Sequence, residues 1–123
     1  MKSILICTIV VFVVLVGYSQ AQQDGVYYRL TSDWGRSMVK KTVEKLAQNG
    51  ELANTTLIDM TCIWRKPVNN STSGYYDVTA DFVTKNQQYK TCQLKYHETY
   101  ATNTIDNSTV QCGVDKVCKD QYQ

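Results

Sequence analysis

Hydrophobic positions along this chain change their spacing once, near residue 57, and the change divides it into a helical part and an extended part. Upstream, Met38, Val39, Thr42, Val43, Leu46 and Ala47 recur as pairs four residues apart and form a single stripe. Lys40, Lys41, Glu44 and Lys45 lie largely opposite. This spacing predicts an amphipathic helix over residues 34–48, with Thr31, Ser32 and Asp33 as N-cap candidates and Asn49 and Gly50 as the stop. Ahead of it, residues 26–30 read as a short strand with Val26, Tyr28 and Leu30 on one face and Gly25 as a break.

Downstream the period is two. Ile58, Met60, Cys62 and Trp64 alternate with Asp59, Thr61 and Ile63. After a turn-rich loop over residues 67–74, Tyr76, Val78, Ala80 and Phe82 alternate with Asp77, Thr79 and Asp81. Beyond a polar connection, Cys92, Leu94 and Tyr96 alternate with Gln93, Lys95 and His97. Residues 101–104 turn the chain, and 105–112 return with weaker alternation. The order is strand, helix, then four closely connected strands, an antiparallel meander. One amphipathic helix and one half-buried sheet must cover each other, so the expected class is α+β, a helix packed across four or five antiparallel strands. The expected core is Ile58, Met60, Trp64, Val78, Phe82, Leu94 and Tyr96, beside Met38, Val43 and Leu46 of the helix.

The N-terminus changes the compartment. Lys2 precedes an apolar run over residues 4–16, which leads to Gly17, Ser19 and Ala21 with the small-residue spacing of a cleavable leader. The run is shorter than the roughly 20 residues a membrane span needs, so residues 1–21 are expected to be a signal peptide. Its removal leaves a single domain over 22–112 and a tail over 113–123, expected to be coil. Lys2 is the leader's only charge, so the 13 basic and 11 acidic residues of the chain become 12 and 11. Such a balance gives no reason to expect nucleic acid or a membrane surface as partner.

Cys7 leaves with the leader, and Cys62, Cys92, Cys112 and Cys118 remain for two disulfides in an oxidising compartment. Four cysteines allow three connectivities. Secretion also makes N-x-S/T triplets meaningful, at Asn54, Asn69, Asn70 and Asn107. The cysteine spacing lacks a C-x-x-C knuckle, so neither a metal nor another cofactor is expected. His97, the single histidine, falls on the outward face of its strand with no thiol left to partner it, and the chain is not expected to be an enzyme. Tyr27 with Tyr28, and Tyr75 with Tyr76, are each expected to place one ring in the core.

A helix followed by a four-strand meander behind a leader resembles the secreted cystatins, whose last hairpin is closed by cysteines twenty apart, as Cys92 and Cys112 are here. The resemblance covers residues 25–112 in order and spacing. It implies that Cys92 joins Cys112 and that Cys62 then joins Cys118, drawing the tail back across the domain; the alternative joins Cys112 to Cys118 and Cys62 to Cys92. In place of a family cysteine between the third and fourth strands, this chain has Cys62 and Cys118.

Cystatins plug the cleft of papain-like cysteine proteases with an N-terminal glycine segment, a first hairpin tip carrying Q-x-V-x-G and a second tip carrying Pro-Trp. Carried over, these correspond to Gly25, to Val68 and Gly74 within 67–74, and to Tyr100 and Ala101. Only Val68 and Gly74 echo the first motif, and Tyr100-Ala101 stands where Pro-Trp would be. Asn69 and Asn70 would have to shed water, or a glycan, on entering a narrow cleft. The resemblance therefore implies either a divergent protease inhibitor or a non-inhibitory secreted binding or effector protein, of the kind found in body fluid, seminal fluid or venom. In both, the expected molecule is a monomer whose partner is a papain-like protease or another extracellular protein.

Overall fold

The computed structural model describes residues 25–116 together with 118 and 122; the expected leader lies outside the described residues. Strand β1 (Tyr28–Arg29) is followed by helix α1 (Asp33–Leu46), a 3₁₀ turn (Gly50–Leu52), and strands β2 (Thr55–Val68), β3 (Ser73–Thr84), β4 (Tyr89–Thr99) and β5 (Thr104–Cys112). The five strands form one antiparallel sheet in chain order, β1-β2-β3-β4-β5, with α1, the one α-helix among the described residues, packed against it. The expected α+β arrangement is therefore present.

Helix α1 starts where the side chain of Ser32 accepts the Gly35 N–H at 3.1 Å, and Asp33 sits in its first turn, where a negative charge suits the helix dipole. Gly35, Val39, Val43 and Ala47 are buried along it. The helix is thus turned further than the sequence pattern predicts, and Met38 is 44% exposed instead of core. Gly35 is the cause. A Cβ there would meet Ser32 Oγ at 2.8 Å and Leu30 Cδ1 at 2.9 Å, so only a hydrogen lets the first turn approach β1 this closely. In Gly35→Ala the overpacking cost of about 1–3 kcal/mol outweighs the helix-propensity gain of up to about 1 kcal/mol. A net loss of stability is expected, and an unchanged or raised midpoint in urea denaturation would contradict this packing.

On the helix side of the sheet, Tyr76, Val78 and Ala80 of β3 pair with Tyr96, Leu94 and Cys92 of β4 and form the core together with Phe82, as expected. Strand β2 departs from the expected alternation. Its register against β3 shifts between Leu57 and Asp59 and again between Met60 and Cys62. Each shift inserts a residue, so side chains beyond it change faces. Met60 and Ile63 face the helix, Ile58 is 50% exposed, and Cys62 and Trp64 point to the opposite side. Ile58 is therefore not core, and Trp64 is buried outside the helix–sheet core.

What buries Trp64 is the tail. After β5, the backbone N–H groups of Gly113 and Val114 donate to Thr91 O, and the chain turns onto the face away from the helix. There Lys116 Nζ lies 2.8 Å from Asp81, Cys118 is bonded to Cys62, and Tyr122 donates its hydroxyl to Asp77 at 2.6 Å. The Tyr122 ring stacks on Tyr27 and meets Trp64 edge-on. Asp77 and Asp81, polar positions of the alternation, are buried beneath it; burial pushes the Asp81 pKa up, but the hydrogen bonds from Lys116 and Thr91 outweigh this and hold it below the ordinary value. The described residues of the tail, 113–116, 118 and 122, form no helix or strand, as expected of coil, yet they lie on the sheet as a third layer. The second disulfide joins Cys92 to Cys112, paired residues of β4 and β5, so both bonds implied by the resemblance are present.

Candidate functional site

The meander brings the segments assigned to a wedge to one end of the sheet. The β2–β3 turn (residues 69–72) and the β4–β5 turn (100–103) are adjacent, joined by the Tyr100 N–H donating to Thr72 O at 3.1 Å. Because β1 runs antiparallel to β2 with Tyr28 opposite Arg65, Gly25 precedes it at the same end. The first turn is tighter than the sequence implies: Pro67 pairs with Gly74 and Val68 with Ser73, so the ladder continues into the expected loop. Pro67 is accommodated because β1 reaches only Arg65, leaving the other edge of Pro67 without a strand that needs its N–H.

At the turn, Asn69, Asn70 and Ser71 all have positive φ, and the Thr72 hydroxyl donates to Asn69 O at 2.6 Å. Asn54 and Asn107 also have positive φ. All four asparagines of the N-x-S/T triplets are exposed in backbone conformations that asparagine tolerates better than most residues. Their identity thus has a conformational reason in addition to any glycan.

Gly25 and Ala101 are exposed, Val68 is half-buried and Gly74 is buried. Tyr100, expected on the second tip, folds inward. Its hydroxyl lies 2.7 Å from that of Tyr76 and accepts from Arg65 Nε at 2.8 Å; the same N–H reaches Tyr76 at 3.2 Å, and Arg65 Nη1 donates to Tyr28 at 2.7 Å. Gly74 makes room for this arrangement, since a Cβ there would stand 2.6 Å from the Tyr100 hydroxyl. The Arg65 guanidinium also lies over the Tyr28 and Tyr100 rings, at 5.8 and 5.4 Å from their centroids. Burial works against the charge on Arg65, but the hydrogen bonds to Tyr100 and Tyr28 more than compensate and raise its pKa. Burial first, then Tyr100, raises the pKa of the Tyr76 phenol against the opposing pull of Arg65.

Above this network opens a cleft of about 460 Å³ between the start of α1 and the two turns. Leu30, Trp34 and Met38 line one side, Tyr28, Tyr76 and Tyr100 the floor, and Ser71, Glu98 and Asn103 the rim. Trp34 is 77% exposed, which places a large apolar ring at the mouth. Glu98 is held by the Thr42 hydroxyl, which donates to Oε1 at 3.1 Å. A cleft of this size, mostly apolar with a few convergent polar groups, has the make-up of a small-molecule site.

Sequence reasoning missed this cleft because it assigned the tyrosines to core or surface by alternation alone. Tyr76 is buried and Tyr75 exposed, as expected, but Tyr28 is 41% exposed and Tyr27 lies half-buried under Tyr122. The missed signal was Arg65, a cation on the helix-facing side of β2 opposite Tyr76. His97 occupies the outer face but is packed against Tyr75 and paired with Asp106 at 2.7 Å. Among the described residues, no helix is long and apolar enough to cross a membrane. Compared with family models, curated proteins and solved structures, the chain finds no match in any of the three.

Proposed function

We propose that this chain is a secreted, non-catalytic binding protein on a cystatin-like scaffold, and that its binding surface is the aromatic cleft behind the hairpin tips and not the tips themselves. The observation that carries this reading is the inward turn of Tyr100 onto Arg65 and Tyr76. A wedge needs an apolar group projecting from the second tip, and here that group is spent on the floor of the cleft. Exposed at the tips are the small Ala101 and, beside it, Thr102, Asn103, Asn69, Asn70 and Ser71, whose polar side chains would have to be stripped of water on entering a protease cleft. The leader, the N-x-S/T triplets and the two disulfides support secretion.

Divergent protease inhibition is the second reading, and the gathering of Gly25 and both turns at one end favours it. The test is an inhibition assay against a panel of papain-like proteases, with native and deglycosylated protein. Inhibition is expected to be absent or no tighter than micromolar. Nanomolar inhibition would mean that the tips bind through backbone shape, and would replace the cleft reading with the inhibitor reading. Grafting an apolar Q-V-V-A-G tip should be confined to the first turn, because replacing Tyr100 by proline also removes two hydroxyl contacts from Arg65 and Tyr76.

A further inference from the structure

We propose that the cleft binds a small amphipathic monocarboxylate, with its carboxylate on Arg65 and its apolar body along Leu30, Trp34 and Met38. This rests on the reading of the cleft as the binding surface and adds the ligand's chemistry.

Arg65 is the deciding residue. It carries five N–H donors, and its bonds to Tyr28, Tyr76 and Tyr100 use Nε and one N–H of Nη1. Three N–H groups thus have no hydrogen-bond partner among the described residues, and no carboxylate of those residues lies within ion-pair distance. Its partners are neutral phenols, so the positive charge on the cleft floor is held in place but not neutralised. The fork geometry of a guanidinium, fixed here by three tyrosines, suits a carboxylate with two parallel hydrogen bonds.

The rest of the cleft selects the remainder of the ligand. Trp34 and Met38 are large apolar side chains left exposed on α1 beside the buried Val39, and Leu30 continues their surface toward β1. An aliphatic chain or aromatic ring against them is removed from water together with the indole. Glu98 on β4 is separated from Arg65 on β2 by Gly74 and Tyr76 of β3. Its negative charge disfavours a second anionic group, so the ligand is a monoanion and not a dicarboxylate or a phosphate.

Calorimetric titration of the mature, disulfide-bonded protein with decanoate, 2-naphthoate, decanol and decylamine tests the assignment. Decanoate or 2-naphthoate is expected to bind more tightly than decanol or decylamine, and the better of the two identifies an aliphatic or aromatic body. Arg65→Met is expected to weaken carboxylate binding by about tenfold or more and to leave decanol nearly unchanged. Trp34→Ala, at an exposed position that does not endanger the fold, is expected to weaken carboxylates and decanol alike. If decanol binds as well as decanoate and Arg65→Met changes neither, the carboxylate assignment fails while the cleft remains the binding surface. Tightest binding of decylamine would transfer recognition to Glu98 and overturn the proposal. If none of the four probes binds, or if they bind and Trp34→Ala weakens none of them, both the ligand class and the cleft reading fall.

Discussion

Trp64→Ala is expected to destabilise the protein by about 3–5 kcal/mol, although Trp64 lies outside the core between helix and sheet. The ring is 2% exposed on the face away from α1, closed in by Tyr122 edge-on and by the Arg29 guanidinium 5.9 Å above it. Its burial therefore depends on the tail. Releasing the tail by Cys62→Ala with Cys118→Ala is expected to expose the ring, and truncating an exposed ring removes little. In that background Trp64→Ala is expected to have only a small effect, so the two changes are strongly non-additive. Urea denaturation of the four proteins measures the coupling. Equal effects of Trp64→Ala in both backgrounds would show that something other than the tail covers the ring.

Most of the architecture was legible because it follows from periodicity, which both helices and sheets express directly in sequence. The pairs four apart from Met38 to Ala47 mark α1, and the alternation from Tyr76 to Phe82 and from Cys92 to Tyr96 identifies the face that packs on it. The pattern failed on β2, where the register shifts are accompanied by no glycine. Counting by twos from Ile58 to Trp64 assumes an unbroken pleat, and each inserted residue reverses the assignment beyond it.

The tail was harder to read for a different reason. Lys116 and Tyr122 carry no periodic signal, and their contacts with Asp81 and Asp77 join residues far apart in sequence. Only the implied Cys62 to Cys118 bond pointed to a tail lying across the sheet, and a covalent tie does not reveal which side chains pack beneath it. The cleft was hidden by the same limit: Arg65, Tyr28, Tyr76 and Tyr100 converge only when β1, β2, β3 and the last turn are assembled. Alternation identifies which face a tyrosine occupies. It does not show where its hydroxyl goes.

The two disulfides are expected to differ in their effect, with the Cys62–Cys118 pair the larger. Removing it reopens a separation of 56 residues, for which the loop-entropy estimate is about 4 kcal/mol; the 20-residue separation of Cys92 and Cys112 gives about 3 kcal/mol. Structure widens the difference. Cys92 and Cys112 are neighbours in a continuous β4–β5 ladder that holds them near each other without the bond. Cys118 instead belongs to a tail whose other described anchors on the outer face are the Lys116 to Asp81 ion pair and the contacts of Tyr122. Without the bond those anchors must be formed against the full freedom of the tail, and the cover over Trp64, Asp77 and Asp81 loosens with them. Denaturation midpoints of the two double-alanine proteins give the ranking, and hydrogen exchange locates the loss. In the Cys62/Cys118 variant, faster exchange is expected first where the tail meets the sheet, at Gly113 and Val114, while β3 and β4 stay protected by the helix-side core. A larger loss for the Cys92/Cys112 pair would mean that the tail holds to the sheet by its non-covalent contacts, leaving its disulfide little to add.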